Sequence, residues 1–454
     1  MTTGLSVISR LASMAVFRFP PLNTGRSQHI TTSANNPQPN GVYRGWYAIA
    51  VSALSIGAVL GTVQFTFGFF IEPLEEEFGW SRTQVNIALS FGVLTSAMSP
   101  VVGNMMDRFG ARWTMALSIL LVALGFVLRS MMTELWQFYL FSAVMFAGVP
   151  GATMMPAGRL VLTWFPNARG RMMGIVTSGN NIGSGIAVPV VAGLIGLVGW
   201  RWTWGVIGIA LIGLALLVLL VIRDKADDVA RERGKHWAPS DGSTSKSVDT
   251  KTGLSVSSAI RTTTFWFLVT GTTLQQFVRT AVVSQMVPHL EQIGFARPIA
   301  ASMMIVLAIF AASSKLIFGR LSESITARIS FIVIMVLQGI GLGILLLSKD
   351  PVVMWTAIVI FGLGMGGVGA LTPLVIFDMF GLKKFGSIMG LSTMAIAIPI
   401  VLGPYMAGRI FDTTDKYDLM FTITIVLLII SIVCFAVARV PRERACAQVQ
   451  KERD

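Results

Sequence analysis

Three basic residues stand out inside long apolar stretches of the sequence: Arg159, Arg279 and Lys315. A charge within hydrocarbon costs at least roughly 2.5–3.5 kcal/mol on insertion scales, so each needs a reason to be there. Thr272, Gln275 and Gln276 precede Arg279 at helical spacing and make a polar stripe toward one face. Lys315 lies one turn inside the end of its stretch, and Ala311, Ala312 and Gly319 share its face. Small residues of this kind mark a surface that meets another helix. Two fixed cations in a low-dielectric setting suit an anionic ligand. Arginine can hold a carboxylate by two parallel hydrogen bonds, and lysine offers a compact point charge. The structural alternatives are a buried Arg279 satisfied by backbone carbonyls and a Lys315 that snorkels to the headgroups. Arg159, nearer a stretch end, fits a snorkelling or structural role better. Asn180 and Asn181 either line a pathway or bond between helices. Phosphate loops, nucleophile elbows and paired hydrolytic carboxylates are absent from the sequence, which argues against an enzyme or an ATP-driven pump. His289 beside Glu291 is too little for a catalytic set. Cys434 and Cys446 have no disulfide framework or metal spacing around them, and with 3 histidines no cofactor or metal is expected.

The elements that must position these residues are membrane spans. The chain has 454 residues, 54% of them hydrophobic and 13% charged, with a mean hydropathy of +0.71. A soluble domain carries roughly a quarter charged residues; lipid-facing surface needs none. A helix needs about 20 apolar residues to cross the hydrocarbon core. Twelve such stretches are legible: residues 46–70, 83–103, 114–132, 138–164, 173–198 and 203–222, then 265–288, 299–318, 329–347, 354–377, 386–409 and 419–437. In lipid the backbone must satisfy its own hydrogen bonds, so these are helices. The fold class is an all-α membrane protein, with twelve transmembrane helices in two six-helix pseudo-symmetric bundles.

The net charge of +13 does not indicate a nucleic-acid partner, because Lys and Arg sit in short clusters between apolar runs. The positive-inside rule orients the spans. One set of loops holds Arg108, Arg112, Arg169, Arg171, Arg320, Arg328, Lys383 and Lys384, with the central loop and the tail bearing Arg439, Arg442 and Arg444. The opposite set holds Glu75, Glu76, Glu77, Asp412 and Asp415. Both termini are therefore expected in the cytoplasm, in a multi-pass protein of the cell (inner) membrane. Residues 1–44 read as a basic, disordered tail, a transit peptide being the sharper alternative. Residues 45–222 form the first bundle, 223–262 a polar linker, 263–440 the second bundle and 441–454 a cytoplasmic tail.

The halves repeat at a nearly constant offset. Pro73…Gly79-Trp80-Ser81-Arg82 recurs as Pro288…Gly294-Phe295-Ala296-Arg297, Gly103…Asp107…Arg112 as Gly319…Glu323…Arg328, and Gly170…Gly174 as Gly386…Gly390. An even number of spans per half makes these parallel repeats, with a substrate site expected near the midplane between them. The symmetric charges Asp107, Arg108, Arg112, Glu323 and Arg328 suit a gate whose pairs form in one conformation and break in the other. Topology alone explains the arginines but not Asp107 and Glu323. Asp378, beside Lys383 and Lys384, reads as part of a cytoplasmic charge network.

The run from Gly103 to Arg112, Gly-Asn-Met-Met-Asp-Arg-Phe-Gly-Ala-Arg, resembles the loop between the second and third helices of the major facilitator superfamily. Glu77-Phe78-Gly79-Trp80-Ser81-Arg82 looks like the segment after the first helix of monocarboxylate-porter and oxalate/formate-antiporter relatives. Trp164-Phe165-Pro166, Arg169, Gly174 and Gly179 are similar to the fifth-helix signature of monocarboxylate porters, with Asn167, Ala168, Met172 and Met173 departing from it. The resemblance covers roughly residues 45–440. In carboxylate porters a cation stands four positions before the glycine that opens the following loop, the relation of Lys315 to Gly319. The resemblance implies secondary active transport of a small organic anion, a mono- or dicarboxylate, by alternating access with proton symport or anion exchange. Arg279, Lys315, Gln275, Gln276, Asn180 and Asn181 are the candidate substrate-binding residues. The alternative is proton-coupled efflux of a hydrophobic or uncharged compound, which would want a membrane-embedded acid in the first half. The expected partners are the anion, a coupled proton and the bilayer, and a monomer is expected.

Overall fold

The computed structural model describes residues 43–223, 253–414 and 417–441. The basic tail before Tyr43, most of the linker, Asp415, Arg442, Arg444 and Cys446 lie outside the described residues.

Among the described residues twelve helical spans follow one another. In the first half, α1 starts as Arg44–Leu60, loosens through a π turn at Gly61–Phe65 and a 3-10 turn at Phe67–Phe70, and ends as Ile71–Phe78. α2 is broken into Arg82–Ser90, Val93–Ala97 and residues 99–109. Gly110, at φ 84°, turns the chain into α3 over 111–130. α4 comprises Leu135–Ala152 and Met154–Trp164. α5 runs over 169–198 and α6 over 200–221, separated by Gly199 at φ 77°.

In the second half, α7 is Thr263–Gln292, α8 Arg297–Ile325 and α9 Ala327–Leu347. α10 comprises Pro351–Gly366 and Val368–Phe380, α11 Phe385–Met394 and Ala397–Thr414, and α12 is Asp418–Val437. A short helix, Val256–Arg261, occupies the end of the predicted linker.

Among the described residues nine stretches are long and apolar enough to cross a membrane, and one of them, Arg169–Val221, holds both α5 and α6. The other two spans fall short for physical reasons. α2 was expected as one continuous helix and is interrupted at Phe91–Gly92 and Met98. α7 carries Thr272, Gln275, Gln276 and Arg279, which lower its apolarity.

Each bundle is tied internally in the same way. At the start of α3, the Arg112 guanidinium donates to the carbonyl of Leu219 near the end of α6. At the start of α9, Arg328 donates to the carbonyl of Ala438 just past α12. These carbonyls are orphans of helix C-termini, where a cation is favoured. Arg112 and Arg328 thus bind helices of their own half, and Arg108 is exposed.

Candidate functional site

The halves meet at the end bearing the basic loops, and glycine is what lets them approach. A Cβ on Gly103 of α2 would stand 2.1 Å from the Gly386 carbonyl oxygen of α11. A Cβ on Gly170 of α5 would stand 2.0 Å from the Gly319 oxygen of α8. One turn further in, the same space at Gly390 is limited by Ser99 and at Gly174 by Lys315. These are the repeat-related positions, so α2–α11 and α5–α8 are two copies of one crossing. Toward the other end of α5, the Cβ positions of Gly185, Gly193 and Gly196 meet open space.

Carboxylates close each crossing. α11 begins behind Lys384 and α5 behind Ala168, and neither residue caps its helix with a side chain. The caps come from the opposite half. Asp107 Oδ1 accepts from Gly386 N at 3.0 Å, while Oδ2 accepts from Ser387 N at 2.8 Å and Ser387 Oγ at 2.7 Å. Arg159 Nη1 donates to the same carboxylate at 3.1 Å, and the Asp107 side chain is fully buried. Glu323 does the equivalent for α5: Oε1 accepts from Arg171 N at 2.8 Å and Oε2 from Arg171 Nε at 2.9 Å. A carboxylate at a helix N-terminus satisfies orphan N–H groups and meets the positive end of the helix dipole. A further crossing pair joins Arg169 to Asp378 at 3.2 Å. Asp107 and Glu323 therefore bridge the halves, whereas Arg112 and Arg328 hold each half together.

Deeper in, Lys315 reaches from α8 to α5. Its Nζ donates to the Thr177 carbonyl oxygen at 3.2 Å and to Asn181 Oδ1. Arg279 of α7 is half-buried, and its Nε donates to Gln276 Oε1 at 3.1 Å. Gln275 and Gln276 are both buried, and neither amide atom of Gln275 has a partner among the described residues. Asn180 Oδ1 is likewise buried without a partner there.

Sequence reading missed Arg129, in the last turn of α3. Its side chain is 1% exposed, donates to Ser142 Oγ at 2.5 Å and lies over the Phe138 and Trp204 rings. It also missed Ser387, Arg169 and Arg171 as partners across the halves. The available signals were the arginine within the last turn of an apolar span and the poor capping residues Ala168 and Lys384.

The family model described as Major Facilitator Superfamily matches residues 53–296 and 268–453. The chain belongs to the Major Facilitator Superfamily. Within it, the chain is 23% identical over 439 residues to monocarboxylate transporter 2 of Homo sapiens, covering 92% of this chain and 90% of that protein. It is 24% identical over 417 residues to the oxalate:formate antiporter of Oxalobacter formigenes, covering 89% and 94%. The fold is shared with a solved proton:xylose symporter, XylE, at TM-score 0.64 and 13% identity, over 87% of this chain and 96% of that one. It is also shared with the human organic anion transporter MFSD10 at TM-score 0.61 and 14% identity, over 85% and 99%. This superfamily member is a transporter with two six-helix bundles, not an enzyme.

Proposed function

We propose that this chain moves a small organic anion, a mono- or dicarboxylate, across the cell membrane by alternating access. The observation that carries the reading is the Lys315 side chain, which crosses between the halves to Asn181, with Arg279 as a second cation within the spans. An anion leaving water loses hydration that fixed cations in a low-dielectric cavity replace, because Coulomb energy grows as the dielectric falls. The names of two relatives, a monocarboxylate transporter and an oxalate:formate antiporter, support the same chemistry. Gln276 orients Arg279, Asn181 accepts from Lys315, and Gln275 and Asn180 bring further polar groups to the same helices. The protein works as a monomer with both termini in the cytoplasm. The inner side is closed in this conformation, since the caps gather at the basic-loop end.

The test is binding and uptake in proteoliposomes with a panel of labelled mono- and dicarboxylates. Arg279→Gln and Lys315→Gln should each weaken binding by about 2 kcal/mol or more, since hydrogen bonds to charged groups contribute roughly 1.5–3 kcal/mol. A proton gradient that drives uptake into empty vesicles identifies symport; a requirement for internal anion identifies exchange. If both variants bind and move carboxylates normally, the anion reading fails and efflux of an uncharged or hydrophobic compound replaces it.

A further inference from the structure

The two loops that lead into the capped helices are held by the same device. In the first half the loop between α4 and α5 begins at Trp164, and the Tyr43 hydroxyl donates to the Trp164 carbonyl oxygen at 2.8 Å. In the second half the loop between α10 and α11 begins at Phe380, and Leu254 N donates to the Phe380 carbonyl oxygen at 2.9 Å. Trp164 precedes Gly170 by the interval that separates Phe380 from Gly386, so these two carbonyls are repeat equivalents. Each is taken by the segment that leads into the first helix of its own half. One uses a side-chain hydroxyl and the other a backbone N–H.

Packing supports both contacts. Tyr43 is buried edge-on to the Trp164 and Phe165 rings at 5.7 and 5.5 Å, and Trp46 meets Phe165 at 5.4 Å. Gly253 forms an antiparallel bridge with Gly381. At φ 144°, a Cβ on Gly253 would stand 2.7 Å from the Phe380 oxygen. Leu254 is buried, and the short helix Val256–Arg261 packs on the start of α11.

We propose that Tyr43 and Gly253–Leu254 are paired braces of the inner gate. The caps given by Asp107 and Glu323 act on α11 and α5, which have no capping side chains of their own. Whether the first N–H groups of those helices meet the carboxylates depends on the short loops before them, 165–168 and 381–384. Fixing the first carbonyl of each loop fixes that aim. Releasing a brace lets the loop relax, the trans caps lengthen, and the inner-closed state loses population to the inner-open one. The chain leading into each bundle is thereby a positioning element for closure, and anything that pulls on it acts on the gate.

The experiment uses the full chain in nanodiscs, with Cys434→Ser and Cys446→Ser, and spin labels at the exposed positions Phe109 and Arg320. It needs no substrate, so its outcome is separate from that of the anion reading. Tyr43→Phe removes the hydroxyl and keeps the ring; Leu254→Pro deletes the N–H donor. Each should raise the ratio of long to short inter-label distances by up to about fivefold, the equivalent of one buried hydrogen bond. Tyr47→Phe, on an exposed position of α1, should match the parent. If the distance distributions of both brace variants match the parent, the proposal is overturned, whatever happens to thermal stability. Should Leu254→Pro not fold, the Tyr43→Phe distribution decides alone.

Discussion

Asp107 shows what a single side chain must do at this gate. Its two oxygens accept from Gly386 N, Ser387 N, Ser387 Oγ and Arg159 at once. Charge-assisted bonds of this kind each contribute roughly 1.5–3 kcal/mol. Asp107→Asn keeps the shape, loses the charge and leaves Arg159 without its carboxylate. It should slow turnover about tenfold while leaving substrate affinity and folding largely intact, as initial rates and equilibrium binding in proteoliposomes would report. A variant turning over at the parental rate would remove Asp107 from the gate. The residue stood out in the sequence because topology could not account for an acid among arginines. Its set of donors was not legible, because the cap it provides lies 279 residues away in sequence. Gln275 and Gln276 share the stripe that leads to Arg279, and both are buried.

At the scale of elements, the turns between paired helices compare two solutions to one problem. Gly110 joins α2 to α3 at φ 84°, a conformation that costs glycine little. The equivalent turn between α8 and α9 is made by Thr326 at φ 77°, the sole non-glycine residue of positive φ among the described residues. A β-branched residue there is strained. The threonine is kept in place by a second role, since its hydroxyl accepts from Ile329 N and caps α9. With ψ at 149° the residue lies outside the left-handed helical well that asparagine tolerates, in a region kept by glycine. Glycine would relieve the strain and lose a cap whose replacement by glycine costs only a few tenths of a kcal/mol. Thr326→Gly should therefore raise stability by about 1 kcal/mol. Thermal unfolding in detergent measures it, and a lowered midpoint would contradict the strain argument. The spans themselves were legible from apolar length alone. The breaks in α2 and the π turn in α1 were not, because local apolarity carries no record of where a neighbouring helix forces the backbone to yield.

At the scale of the whole molecule, two symmetric closures share one task. Asp107 and Glu323 have no hydrogen-bond partner in common and serve different helices. Perturbations at sites without shared partners add in free energy. The double variant Asp107→Asn with Glu323→Gln should multiply the open-to-closed ratios of the single variants, read by inter-label distances across the inner ends. A double no more open than the worse single would mean that one crossing alone holds the gate. The internal repeat made this symmetry legible from sequence, as glycines and acids recur in register. The tie of Arg112 and Arg328 to helix ends within each bundle was not legible, since a cation beside a loop looks alike whether it faces its own half or the other. The open glycines on α5, far from the caps, have a practical consequence. A Cβ at Gly185, Gly193 or Gly196 would meet no atom within 4 Å, so a reporter group can be attached there without pushing the two crossings apart.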